Sequence, residues 1–140
     1  MIEYLNFHTA AAFLTALVVG GMAFFSFAVA PIVFRSLDRA AAGALMARIF
    51  PVYYRVMAAA SLVAAFLVFY RAEALWLGLL GFSFILIDLL LRPTIDRLRP
   101  ARLAGDEAAS RAFGRLHGFS AVLNLAQWLG AIVLFFHLAA

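Results

Sequence analysis

Four apolar runs, separated by short basic stretches, constrain this chain more than any other feature it has. A helix needs about 20 mostly apolar residues to cross the hydrocarbon core of a bilayer. The runs Asn6 to Ala30, Val52 to Tyr70, Leu75 to Leu91 and Gly118 to Leu138 meet or approach that length. Membrane strands would alternate apolar and polar residues, and these runs do not, so only helices satisfy their backbone groups in lipid. Composition agrees: the 140 residues are 67% hydrophobic and 13% charged, whereas soluble domains are about half apolar and about a quarter charged. The expectation is one all-α transmembrane domain over residues 1–140, an integral membrane four-helix bundle with the lipid bilayer as its main partner.

The connections are unequal. Arg71 to Ala74 reads as a tight turn that pairs the second and third helices as an antiparallel hairpin. Pro31 to Pro51 reads as a connection whose alanine-rich stretch, Arg39 to Ile49, forms a short interfacial helix ended by Pro51. Pro93 to His117 reads as the largest connection. It opens with Pro93 and Pro100 and becomes a polar helix from about Asp106, where Asp106 and Glu107 suit a helix N-terminus. No internal repeat is evident.

All 11 positive side chains are arginine. Arg35, Arg39, Arg48, Arg55, Arg92, Arg97, Arg99, Arg102, Arg111 and Arg115 flank the first and third connections, and only Arg71 lies on the opposite side. The positive-inside rule then places both large connections in the cytoplasm and both termini outside. In a bacterium this is a multi-pass protein of the inner (plasma) membrane with periplasmic termini. The same arginines account for the sequence pI of about 10.3 without nucleic acid, because no basic face exists apart from the span ends. Ala28-Val29-Ala30 resembles a signal cleavage site, but Pro31 follows it and the early charge is the acidic Glu3, so a retained first helix is expected. The chain has no cysteine, which excludes disulfides, thiolate metal sites and cysteine nucleophiles.

Polar side chains inside lipid are costly and so mark sites worth weighing. In the fourth helix His117, Ser120, Asn124 and Gln127 fall at i, i+3, i+7 and i+10, on one helical face. That face lines either a pathway or a set of interhelical hydrogen bonds. Asp88 precedes Arg92 by four residues, the favourable order for a helical ion pair. The pair reads either as an interfacial salt bridge shared with Arg55 or as a titratable group for protons or a cation. Arg55 either snorkels to headgroups or partners Asp88. Gly20-Gly21-Met22 and Gly78 with Gly81 read as helix-packing positions, and Met22 is also a soft sulfur ligand in the spans. His8 and His137, both on the outer side, and His117 invite a haem-binding redox reading, although interfacial histidines are the commoner case. No hydrolase, phosphate-loop, zinc or dinucleotide signature occurs. No enzyme activity, resident metal or cofactor is expected.

The run Val33-Phe34-Arg35-Ser36-Leu37, followed by Arg39, Gly43 and Phe50-Pro51-Val52-Tyr53, resembles the transmembrane protein 205-like family, also called the domain of unknown function 4149 family. His117-Gly118-Phe119-Ser120 with Asn124-Leu125 agrees with that family's fourth helix, and Gly21-Met22 and Pro93 sit where the family has a Gly-Met pair and a proline. The resemblance implies four membrane helices in the same topology. It further implies export, because the human member is linked to platinum-drug resistance; the absence of cysteine and a much shorter third connection depart from that pattern. The expected function is a small membrane transporter or channel-like protein, exporting ions or small toxic molecules as a homo-oligomer. An accessory membrane subunit without its own activity is the alternative, followed by the haem protein.

Overall fold

The computed structural model describes residues 6–140; Glu3, which entered the reading of the N-terminus, lies outside them. Four long helices account for nearly all of it: α1 (Phe7–Ser36), α2 (Arg39–Leu67), α3 (Glu73–Leu103) and α4 (Glu107–Ala139). All four are long and apolar enough to cross a membrane. Three begin on a side-chain cap: the carboxamide of Asn6 accepts from Thr9 N–H, and the carboxylates of Asp38 and Asp106 accept from Ala41 N–H and Ala109 N–H. Such caps satisfy donors that a helix start leaves unpaired.

Each helix packs on its chain neighbours, and α1 closes the ring on α4. Neighbours run antiparallel: Gly21 faces Met57 while Phe25 stacks on Tyr53, and Gly81 faces Ala58 and Leu62 while Asp88 meets Arg55. Two glycines set close approaches. A Cβ at Gly21 would lie 2.7 Å from Met57 Cε, and one at Gly81 would lie 2.7 Å from Leu62 Cγ and 3.2 Å from the Ala58 carbonyl oxygen. Gly20 and Gly78, by contrast, have nothing within 4 Å, so neither serves packing. The core runs through Val18, Met22, Met57, Leu77, Phe84, Ala131 and Leu138. Large apolar side chains such as Phe24, Phe66 and Phe136 point outward, as expected where the surrounding solvent is lipid.

The helices outrun the expected spans at the basic end, and this corrects three boundaries. Pro31 does not open a connection, because α1 continues to Ser36 and breaks only at Leu37 and Asp38. Pro51 does not end a short helix, since Arg39–Leu67 is one helix that passes through it. The chain also stays helical through Pro93 and Pro100 to Leu103, and the turn comes at Ala104 and Gly105, where Gly105 takes φ 90°. A proline inside a helix removes one hydrogen bond and crowds the carbonyl four residues earlier. At Pro31 and Pro93 that carbonyl belongs to Phe27 and Leu89, and each lies in a wider π-helical turn, Phe25–Val29 and Ile87–Leu91. In these turns Ala30 N–H donates to the Phe25 carbonyl and Arg92 N–H to the Ile87 carbonyl. The extra residue moves the crowded carbonyl aside, and the helix survives the proline. At the other end α2 stops at Leu67, short of the expected Tyr70, and α3 starts at Glu73, so the hairpin turn spans 68–72 around Arg71 rather than Arg71 to Ala74, while α4 starts at the Asp106 cap as expected and runs unbroken into the fourth span.

Candidate functional site

The two π turns each carry a polar side chain as their second residue, Ser26 in α1 and Asp88 in α3. Around each the bundle builds a polar cluster.

The first cluster crosses the middle of the bundle. Tyr53 O–H donates to Asn124 Oδ1 at 2.9 Å, and Asn124 Nδ2–H donates to Ser26 Oγ at 3.2 Å. Three helices, α2, α4 and α1, are thereby tied at one level. Phe25 stacks on Tyr53 with ring centroids 4.5 Å apart, and Phe50, Tyr54 and Phe84 complete an aromatic layer. One turn further along α4, Gln127 Nε2–H donates to Ser83 Oγ at 2.7 Å, while its Oε1 is buried with no partner among the described residues. Trp128 Nε1–H donates to the Val19 carbonyl at 3.1 Å, which ties α4 to α1.

The second cluster is ionic. Asp88, whose side chain is 6% exposed, receives Arg55 Nε–H at 3.0 Å and Arg92 Nε–H at 2.8 Å. Arg92 reaches on to Asp96 at 3.1 Å, and Asp96 also receives Arg99 at 2.7 Å. The result is an alternating chain, Arg55–Asp88–Arg92–Asp96–Arg99, along one face of α3. Arg55 stands at its outer end, 69% exposed, and its Nε–H bonds Asp88, as expected of a partner for that carboxylate.

The ionic chain leads into a polar cavity, a vestibule of about 320 Å³ at the basic end. Arg39, Arg92, Asp96, Arg99 and Arg102 supply its charged wall, and Phe34, Met46, Phe50 and Phe113 its apolar wall. His117, Ser120 and Tyr54 stand at its inner reach. The guanidinium of Arg102 lies over the Phe113 ring, 4.1 Å from its centroid, with Arg99 at 6.0 Å. Gly43 leaves room for the Arg99 guanidinium, which occupies the space a Cβ there would need. A further, mostly apolar cavity of about 540 Å³ lies between α3 and α4 in the opposite half, lined by Trp76, Leu79, Gln127, Gly130 and His137 among others.

Of the residues singled out in the sequence, Asp88, Arg92 and Arg55 come together as an ion cluster, and His117 and Ser120 reach the vestibule with Arg92. Asn124 and Gln127 lie deeper on the same helix, bonded to different neighbours. Met22 is buried, beside Ser26 and Asn124 in a cavity of about 220 Å³. Of the family-motif positions, Tyr53 is in the central cluster, Pro93 follows the Asp88 turn, Pro51 passes within α2, and Arg35 is exposed outside the vestibule. His117 lies 20 residues from His137 on α4, so about 30 Å of helix separates them. Among the described residues no three metal-ligating side chains converge. The residues missed by sequence reasoning are Asp96, Arg99 and Arg102, the continuation of the Asp88–Arg92 face beyond Pro93. Their spacing carries the signal, but a reading that ends the helix at Pro93 hides it.

These features define a membrane-spanning four-helix bundle with a basic vestibule at one end. The sequence profile of the family described as Domain of unknown function (DUF4149) matches residues 13–104, about two thirds of the chain. The protein belongs to that family. No curated protein and no solved structure matches it.

Proposed function

We propose that the protein is a small membrane transporter that loads its solute from the vestibule. In this reading the arginine-rich end faces the cytoplasm of a bacterial inner membrane, the termini face the periplasm, and copies of the chain assemble as a homo-oligomer. The excess of arginine at one end supports the orientation. One observation carries the transport reading: the polar face of α4 continues from the vestibule at His117 and Ser120, through Asn124, to Gln127, which lines the cavity of the other half. Seven residues separate Ser120 from Gln127, about 10 Å of helix. The buried, unpartnered Gln127 Oε1 supplies an acceptor beyond the aromatic layer, and intramembrane polar groups of this kind mark solute paths. The vestibule is thus the open side of an alternating passage, and the Tyr53–Asn124–Ser26 level is its closed gate.

The test is solute flux into liposomes holding the purified protein, followed with pH- and chloride-sensitive dyes and with labelled small organic anions. Wild type exceeds empty liposomes, and Asn124→Ala changes the rate by at least severalfold. Flux equal to empty liposomes for every solute removes the reading. A second reading, an accessory subunit without activity, draws support from the bonding of Asn124, whose amide oxygen and nitrogen both bind neighbouring helices; co-purification of one stoichiometric larger partner would favour it.

A further inference from the structure

The vestibule's charges do not balance, and the imbalance has a definite shape. Each carboxylate oxygen near it is already taken: Asp88 Oδ1 by Arg92, Asp88 Oδ2 by Arg55, Asp96 Oδ2 by Arg92 and Asp96 Oδ1 by Arg99. Two further arginines in the wall, Arg39 and Arg102, have no carboxylate within ion-pairing distance among the described residues. Arg102 is nonetheless held in place, its guanidinium face on the Phe113 ring at 4.1 Å. A stacked guanidinium keeps its N–H edge free for a planar, two-point contact with an oxyanion. Arg99 is fixed by Asp96 and by the gap at Gly43. Cations positioned in advance around a concavity lose little freedom when a ligand arrives, which favours binding.

We propose that the vestibule binds a phosphomonoester, with Arg102 and Arg39 as its principal cationic contacts and Arg99 flanking them. The two guanidinium groups without a carboxylate partner match the charge of a phosphate dianion, the ion chain of three arginines and two carboxylates adds one further positive charge, and guanidinium–phosphate pairs are among the stronger charge-assisted contacts. The cavity, about 320 Å³, is at the small end of ligand pockets. It suits a phosphate on a short organic body and excludes a polynucleotide. The apolar wall of Phe34, Met46 and Phe50 gives that body a surface to rest on. The phosphate can belong to a soluble metabolite or to a lipid headgroup. This inference names the solute class for the vestibule of the proposed transporter, and it rests on that reading only for the phosphate being cargo.

The experiment uses the full-length protein in nanodiscs of phosphatidylcholine, titrated with glycerol 3-phosphate and, as a neutral control, glycerol. A second set of nanodiscs carries phosphatidic acid in place of part of the phosphatidylcholine. Calorimetry gives the dissociation constant and thermal unfolding the shift in midpoint. Glycerol 3-phosphate binds and glycerol does not, and Arg102→Gln and Arg39→Gln each weaken binding at least tenfold while Arg48→Gln, a change of equal charge outside the cavity, leaves it within about twofold. Stabilisation by phosphatidic acid alone, lost in the same two variants, assigns the phosphate to lipid. Equal effects of Arg48→Gln and Arg102→Gln overturn the site, because binding is then diffuse surface charge; no response to either phosphate also overturns it. Binding without flux leaves this inference standing and removes transport, whereas flux of another solute without phosphate binding does the reverse.

Discussion

The two ends of this bundle solve the membrane problem differently. At the end bearing Arg71, a short turn joins α2 to α3, and the one ion pair there among the described residues, Arg71 with Glu73 at 2.9 Å, lies at the surface. Apolar packing dominates that half, with Val18, Leu77, Ala131 and Leu138 buried. At the other end the helices run on past the hydrocarbon core: α4 has 33 residues, about 50 Å of helix, against a core of about 30 Å. There, prolines sit in α1, α2 and α3, two helices widen into π turns, and charged side chains line a cavity. One half is mostly apolar, its cavity included, and the other gathers charged side chains around a cavity. The π turn is the shared device of the second half, since it lets a proline stay in the helix and carries Ser26 or Asp88 as its second residue.

If the contrast is real, matched substitutions should differ sharply in effect. The largest difference is between the ion pairs. Asp88→Ala removes the charge-assisted hydrogen bonds from Arg55 and Arg92, leaving Arg92 its bond to Asp96, and lowers stability by about 3 kcal/mol in a denaturant titration of purified protein, while Glu73→Gln changes it by less than about 1 kcal/mol because exposed pairs contribute little. Next come the glycines of α3. Gly81→Ala forces a Cβ against Leu62 and the Ala58 carbonyl and destabilises by about 1–3 kcal/mol. Gly78→Ala meets open space and is neutral or stabilising by up to about 1 kcal/mol, the helix-propensity gain. The smallest effect is Asn124→Ala, about 0.5–1.5 kcal/mol, because hydrogen bonds between membrane helices are individually modest. A loss above about 3 kcal/mol there would make the central cluster a structural lock and favour the accessory reading.

Much of this arrangement was legible in the sequence, and the misreadings at the basic end share one cause. The four apolar runs give the helices, and the i, i+3, i+7, i+10 spacing puts Ser120, Asn124 and Gln127 on an inward face, with His117 on the same side but exposed, against the vestibule. The Asp88–Arg92 spacing gives their pair, with Arg55 as the third member. Pro31, Pro51 and Pro93 were misleading because a proline reads locally as a helix boundary. Tertiary packing and a widened turn overrode that preference at Pro31 and Pro93, while α2 continues through Pro51 without such a turn. The consequence reached the site: with α3 stopped at Pro93, Asp96, Arg99 and Arg102 read as a loop, and the vestibule they line could not be foreseen. The stacking of Arg102 on Phe113 joins two helices across a turn and leaves no periodic signal in either.

The central claim is that water enters the bundle from the basic end and stops at the Tyr53–Asn124–Ser26 level. The chain has no cysteine, so single cysteines report directly. Ser120→Cys, in the vestibule wall, and Ser61→Cys, buried within α2, are treated with a membrane-impermeant thiol reagent in sealed vesicles of each orientation. The account predicts that Ser120→Cys labels from the arginine-rich side only and that Ser61→Cys labels from neither. A Ser120→Cys as inert as Ser61→Cys, or one that labels equally from both sides, would contradict it.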